Sequence, residues 1–554
     1  MVESSFVVAA RAAAYRAGVP IERAAGGEPV VLDPDFEPWI ALGTAFEASL
    51  HTDVRSGRGA HFTPPWLATQ IVERVVDAAC GPVIDPSCGG GVFLMAALDR
   101  LVSCGVGPAD ALQRLVGCDV DGPSLEVVEL AARWWAHAHG TSWAGIELAN
   151  VDPLVNETAA AGEGGSVPVV VGNPPFLDQL DRASARDEQR REVLQARFGR
   201  DVAAYTDDAA LFLAWAIDTA GPTGRVGMVL PRSILATRDT EGIRRRVAER
   251  SSLRSVWFDE PDTFGAGVRV CVLHTDAGER TGLVEISRGR GPAPMARIAA
   301  PDPQSWACLL SAADGVPPVE LGDNPTVGDR ADVIAGFRDE YYGLAPAVRS
   351  SGADPAREKP RLITSGAIDL GELHWADRPI RFAKQRWLRP VIDVEAIEQE
   401  TVRAWVERLR RPKVLVATQT RVIEAVVDDA GVCVGSVPVL NVIAHDRADV
   451  WMVAAAIASP PVNAWALARR AGTALSANAL KLAASDVRAI PLPVDERLWS
   501  RGAQQFGEAQ SAGSPSERAG ALLRFGATMT EAYHCDDAVC AWWRDRLGLP
   551  SPPA

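Results

Sequence analysis

Asn173-Pro174-Pro175-Phe176 stands directly after the run Val169-Val170-Val171-Gly172. The β-branched run reads as a buried strand, which puts the tetrapeptide at a strand tip. The Asn173 carboxamide oxygen is a hydrogen-bond acceptor, the prolines stiffen the corner, and the Pro174 carbonyl is a second acceptor. Phe176 adds a flat apolar face. Together these groups can grip a flat molecule with an exocyclic amine and hold that nitrogen in line with a methyl donor. The same residues would also make a plain strand-to-loop corner.

Three segments upstream could supply the donor's site. Val83-Ile84-Asp85-Pro86-Ser87-Cys88-Gly89-Gly90-Gly91-Val92-Phe93-Leu94 reads as strand, glycine turn and helix. Gly89 and Gly91 let backbone approach a ligand closely, and the spacing is not that of the dinucleotide-binding GxGxxG turn. Leu115-Val116-Gly117-Cys118-Asp119 is a second strand ending in an acid, and a carboxylate there can accept both hydroxyl protons of a ribose. Asp119 could instead cap the next helix, although Asp121 or Ser124 can take that role. Asn150-Val151-Asp152-Pro153-Leu154 carries a third acid. Ahead of all three, Thr63-Pro64-Pro65-Trp66 opens an amphipathic helix reaching Val75 and Val76, with Thr63 as the expected cap and Pro64 in the first turn.

Thr-Pro-Pro, Asp-Pro-x-Cys-Gly-x-Gly, Gly-x-Asp-x-Asp and Asn-Pro-Pro-Phe follow one another between residues 63 and 176. In that order they resemble the motifs of DNA adenine-N6 methyltransferases of the gamma arrangement, the Eco57I/TaqI-like restriction–modification group, in which cofactor motifs come first and target recognition last. The resemblance implies S-adenosylmethionine as cofactor, held by Thr63, Asp85, Pro86, Gly89, Gly91, Phe93, Asp119 and Asp152. It implies Asn173, Pro174, Pro175 and Phe176 as the catalytic set, with Phe176 and Phe264 stacking on a target base flipped from double-stranded DNA. For Phe264, ordinary hairpin packing reads equally well. N4-cytosine, RNA and protein amino-methyltransferases share the Asn-Pro-Pro-aromatic motif, and a modification subunit that needs a partner is a further alternative.

The elements that must position these residues alternate strand and helix. They predict a Rossmann-like α/β methyltransferase domain over residues 56–290, with a mainly parallel seven-stranded sheet and ligands at the strand ends. Residues 1–55 read as a helical segment packed on it. Leu177–Asp201 is charged, contains a helix, and is a candidate lid. Gly224–Pro231 reads as a buried strand, and Val256–Phe258 with Val268–Leu273 as a late hairpin. Gly289–Pro294 reads as a linker. Residues 318–495 read as an α+β target recognition domain, with strands at Leu362–Ile368, Pro412–Gln419 and Val437–Ile443, and residues 500–554 as a helical tail with Trp542 and Trp543 in its core.

At 554 residues the chain is too long for one core. Its net charge of -15 excludes a protein coated in basic surface, but local patches govern phosphate contact. One basic stretch, interleaved with Trp375, Phe382, Trp387 and Trp405, offers Arg381, Lys384, Arg386, Arg389 and Lys413 as DNA contacts. A solvated helix face explains Arg403–Arg411 as readily. Nine cysteines without a Cys-x-x-Cys pair suggest neither a zinc site nor a disulfide framework, so no metal is expected. The absence of a long apolar run or a leader pattern points to a cytoplasmic protein without a membrane partner. A monomer is expected, with a separate restriction endonuclease as a conceivable companion.

Overall fold

The computed structural model describes residues 5–21, 30–50, 63–156, 166–176, 188–201, 206–260, 263–264, 269–278, 282–291, 293–336, 338–351, 359–470 and 480–550. Two compact units divide at Leu309/Leu310. In the first, helices and strands alternate: α1 (Ser5–Arg16), α2 (Pro38–Ser49), α3 (Pro65–Val75), β1 (Cys80–Asp85), α4 (Val92–Ser103), α5 (Pro108–Gln113), β2 (Leu115–Cys118), α6 (Gly122–Ala138), β3 (Glu147–Ala149), β4 (Val167–Gly172), α7 (Glu188–Phe198), α8 (Asp208–Ala220), β5 (Arg225–Pro231), α9 (Glu241–Arg250), β6 (Ser252–Phe258), β7 (Val270–Asp276), β8 (Leu283–Arg288) and β9 (Ala296–Ala299).

One sheet runs β3-β2-β1-β4-β5-β7-β6-β8-β9. The first five strands are mutually parallel, and β7 is antiparallel to both β5 and β6. Strands covered by helices on both faces read as continuous apolar runs, and Val83, Ile84, Val169, Val170 and Val171 are all buried. The sheet has nine strands rather than the expected seven. The added strands β8 and β9 flank the Gly289–Pro294 stretch: Gly289, Gly291 and Pro294 lie in the connection between these antiparallel strands, inside the unit rather than at a linker. Helices α1 and α2 join the same core as α4 and α6, so the N-terminal segment is part of this unit.

In the second unit, strands 331–335, 439–444, 413–417 and 424–428 form one sheet and strands 348–350, 390–392, 361–363 and 433–435 another. Helices 496–510, 515–532 and 537–547 are not an appended tail. Trp499, Phe506, Phe525, Met529 and Trp543 are buried in one cluster with Val414, Val416 and Val442 of the first sheet. Among the described residues no single helix is long and apolar enough to cross a membrane.

Candidate functional site

Strand order reverses at β1, between β2 and β4, and ligands of doubly wound sheets collect outside the carboxyl ends of strands at such a point. Because β1, β2, β3 and β4 are parallel, the segments after them leave the sheet at this one edge. Those segments carry Asp85–Gly91, Asp119, Asp152 and Asn173–Phe176.

The glycine turn is built tightly. Gly89 and Gly91 have φ of 49° and 86°, left-handed values that favour glycine, and α4 begins directly after Gly91. Cys88 N–H donates to the Cys118 carbonyl at 2.9 Å, which locks the turn to the end of β2. Gly89 N–H donates to Asp119 Oδ2 at 2.8 Å, and Asp121 N–H donates to Asp119 Oδ1 at 2.9 Å. Asp121, not Asp119, caps α6 by accepting from Ser124 N–H. Asp119 thereby ties the glycine turn to the segment that follows β2.

A third acid was not legible in the sequence. Glu47 on α2, 8% exposed, accepts from Gly90 N–H at 3.1 Å. It reaches the turn because α2 packs there backbone to backbone: a Cβ on Gly43 would lie 2.2 Å from the Gly90 carbonyl oxygen. Asp85, at the end of β1, is 1% exposed and accepts from Ser87 N–H at 3.0 Å. Burial, with a smaller push from the Asp119 charge, raises its carboxyl to about 8. Space beside Asp85 exists only because residue 172 is glycine, whose Cβ would stand 2.8 Å from Asp85 Oδ1. Burial likewise pushes the Cys88 thiol well above its usual range, so it stays protonated. Phe93 is buried in the core at the start of α4, and Pro86 is buried in the turn.

Thr63 is buried, but the cap of α3 is Pro64 and its first residue is Pro65, one position later than expected, without a side-chain cap. Asp152 is engaged by protein groups. Its Oδ1 accepts from Leu154 N–H at 2.9 Å and its Oδ2 pairs with Arg190 of α7, which also reaches Asp208 at 3.1 Å. Arg197, one helical stretch on, donates to the Pro153 and Leu154 carbonyls at 2.6 and 2.9 Å. Two arginines thus strap α7 to the Asp152 segment. Leu177–Asp187 of the candidate lid lies outside the described residues.

Asn173 follows β4 half-buried with its Oδ1 shielded from solvent, Pro174 is buried, and Pro175 and Phe176 are half-buried. Phe176 and Phe264 both pack against the core cluster that includes Val83, Val169 and Val171. A second arrangement that sequence reasoning missed anchors the segment bearing Phe264. Arg232, just after β5, donates to Asp259 Oδ1 at 2.6 Å, and Arg269 pairs with Asp259 Oδ2 at 3.2 Å, all at the ends of β5, β6 and β7.

The donor set discriminates between ligands. The acidic side chains of Glu47, Asp85 and Asp119 surround the glycine turn, and the Glu47 and Asp119 carboxylates occupy its Gly90 and Gly89 N–H groups. A pyrophosphate would meet acids where it needs donors, whereas a cationic ligand with hydroxyls would be attracted. S-adenosylmethionine, with its sulfonium and ammonium charges and its ribose, fits this set.

In the second unit, Arg381, Lys384 and Arg386 are exposed on the hairpin of strands 380–382 and 385–387, while Arg389 is half-buried just beyond it. Arg381 and Arg386 are directly opposite each other, and the turn residues Ala383 and Lys384 both have left-handed φ, 49° and 65°. Lys413 corrects the expectation. It is 0% exposed, at the start of the inner strand 413–417, with Nζ 2.6 Å from Asp428 Oδ2. A side chain fully buried in an ion pair cannot reach a phosphate.

Residues 41–284 match the N-6 DNA Methylase family model, a span that takes in α2 with Glu47 and ends in β8. Among solved structures, the chain is similar to the type IIL restriction-modification enzyme MmeI in complex with DNA (TM-score 0.57, 11% identity, covering 92% of this chain and 82% of that one). It is also similar to the type IIG restriction endonuclease BpuSI (TM-score 0.44, 10% identity, 98% and 77% covered). A third match is a putative class I S-adenosylmethionine-dependent methyltransferase from Listeria monocytogenes (TM-score 0.35, 15% identity, 46% and 72% covered).

Proposed function

We propose that this chain, whose residues 41–284 match the N-6 DNA Methylase family model, methylates the N6 amino group of an adenine flipped out of double-stranded DNA. The observation that carries the reading is the juxtaposition of Asn173-Pro174-Pro175-Phe176 after β4 with the acid-lined glycine turn after β1, at adjacent parallel strand ends.

Bound S-adenosylmethionine would supply an electrophilic methyl group on a sulfonium. Thr63, Asp85, Pro86, Gly89, Gly91, Phe93, Asp119 and Asp152 would hold it, with Glu47 added to that set. Asp119 is placed to accept ribose hydroxyls, and the Glu47 and Asp119 carboxylates balance positive charge. For Asp152 to hold the cofactor, its oxygens must share with Leu154 N–H and Arg190.

The chain's own work on the target is alignment. The Asn173 Oδ1 and Pro174 carbonyl oxygens accept the two amino protons, which localises the nitrogen lone pair and aims it at the electrophile. Phe176, with Phe264 on the segment anchored by Asp259, stacks on the extruded base. Rate comes from positioning and fixed dipoles, with no covalent intermediate on the protein. Arg381, Lys384 and Arg386 on their exposed hairpin would contact phosphates.

The test is single-molecule sequencing of plasmid DNA from cells expressing the wild-type chain or Asn173→Ala. N6-methyladenine at one sequence motif, absent with the variant, supports the reading and supplies the recognition sequence. Modified cytosine, or modification persisting undiminished in the variant, would overturn it.

A further inference from the structure

A cavity of about 460 Å³ lies in the first unit, lined by Arg74, Arg225, Arg254, Arg297, Ser255 and His274 among others. It is remote from the site above. Arg225 begins β5 and Asp276, its cross-strand partner, ends β7, so the cavity opens at the amino end of β5. Asn173 follows the carboxyl end of the neighbouring parallel strand. A seven-residue strand separates the two edges by roughly 20 Å at about 3.3 Å per residue.

The floor of the cavity is a polar row of His274, Ser255, Glu285 and Arg297 crossing four strands. Gly227, His274, Ser255, Glu285 and Arg297 are successive register partners on β5, β7, β6, β8 and β9. Side chains opposite one another in register share a face, and a Cβ on Gly227 would meet Ile71 of α3 at 2.8 Å, so this is the face that α3 covers. Such a row in the middle of a covered sheet is costly unless it is satisfied.

It is not fully satisfied. His274 is 5% exposed, and its Nδ1 shares a hydrogen bond with Ser255 Oγ at 3.0 Å. Its Nε2 is buried and has no hydrogen-bond partner among the described residues. Burial, reinforced by the nearby Arg74 charge, holds the ring neutral by lowering it to about 3. A neutral ring that accepts from Ser255 O–H through Nδ1 presents an N–H at Nε2.

The four arginines arrive from α3, β5, β6 and β9. Arg225 and Arg297 are fixed by close acids: Asp77 at 2.7 Å and Glu285 at 2.6 Å. Among the described residues the other two make only long ion-pair contacts, Arg74 to Glu285 at 3.7 Å and Arg254 to Asp276 at 4.0 Å, beyond hydrogen-bond range. Among the described residues their guanidinium donors make no hydrogen bond, and four cations face three carboxylates, Asp77, Asp276 and Glu285.

We propose that this cavity is a binding site for a phosphate-bearing small molecule, with Arg74 and Arg254 as the phosphate donors above a floor that includes the His274 ring. The positive balance, the planar forks with spare N–H groups and a volume well above that of a single phosphate favour an oxyanion carried on a nucleotide-sized body.

The experiment is a titration of the full-length chain, labelled at histidine, with inorganic phosphate, pyrophosphate or ATP in metal-free buffer of constant ionic strength. The His274 ring signal, identified by its loss in His274→Gln, should shift saturably. Saturation with all three probes assigns the site to phosphate itself, and saturation with ATP alone assigns it to a nucleotide. Removing one charge-assisted contact should weaken the dissociation constant by about tenfold or more, both in Arg74→Gln and in Arg254→Gln. A signal that none of the probes shifts, or a shift that survives unchanged in the double variant, would overturn the proposal. Unaltered wild-type-like spectra elsewhere in the variants establish that they are folded.

Discussion

Replacing Lys413 with methionine separates a structural lysine from a DNA-contacting one. Lys413 Nζ lies 2.6 Å from Asp428 Oδ2, with side chains 0% and 4% exposed. Asp428 also accepts from Val432 N–H at 3.1 Å and Cys433 N–H at 2.8 Å, so its charge would not be wholly abandoned. Removing one partner of a buried pair costs about 3–5 kcal/mol, and the two remaining N–H donors place this case toward the lower end. For a unit of this size about 3 kcal/mol corresponds to a fall of roughly 6–12 °C in melting temperature. Thermal and guanidinium unfolding of the full chain should show that loss in the transition of residues 310–554. Lys413→Met/Asp428→Asn, which removes both charges and keeps one acceptor, should recover at least half of it. The salt dependence of DNA binding should be unchanged in both. A Lys413→Met protein as stable as wild type but with a shallower salt slope would refute the argument.

Three further perturbations follow from the geometry. Asp85, raised to about 8 in the folded chain from about 4 unfolded, holds its proton more tightly when folded, so it subtracts stability progressively as pH rises from about 4 to 8. Asp85→Asn should remove that loss, with denaturant midpoints at pH 5 and 8 closer together than in wild type; an unchanged difference would contradict the burial. Arg381→Ala and Arg386→Ala should each reduce the salt slope of DNA binding by about one while leaving cofactor affinity alone, read by fluorescence anisotropy across salt. Arg197→Ala frees the Pro153 and Leu154 carbonyls that α7 straps, and should weaken S-adenosylmethionine binding by about tenfold in calorimetry, on the scale of one charge-assisted hydrogen bond.

What was legible in the sequence was local. Glycines at left-handed positions, an aspartate directly before a helix, and β-branched runs between them report their own backbone, so the glycine turn, the Asp121 cap and β1, β2 and β4 fell where expected. Contacts between distant segments left no such trace. Glu47 meets Gly90 across 43 residues, and only the close approach of Gly43, a glycine within a helix, could have hinted at it. Lys413 lies in a stretch rich in arginine, and nothing in that stretch tells that Asp428 sits opposite it in register. The strand pair after residue 282 was hidden because a glycine–proline turn inside a sheet and a linker share one composition. Helices 496–547 carry the apolar stripe of any surface-packed helix, and whether that stripe covers a core or stands apart is a tertiary matter.

The central claim is that Asn173 aligns the target amine and does not serve cofactor binding. Its most direct measurement is single-turnover transfer of a labelled methyl group from S-adenosylmethionine to DNA carrying the motif found by sequencing, with wild type and Asn173→Ala, alongside the cofactor dissociation constant of each. The account predicts N6-methyladenine as product, a transfer rate lower by about 10²-fold or more in the variant, and an unchanged dissociation constant. Equal transfer rates, or a loss of rate explained entirely by weaker cofactor binding, would contradict it.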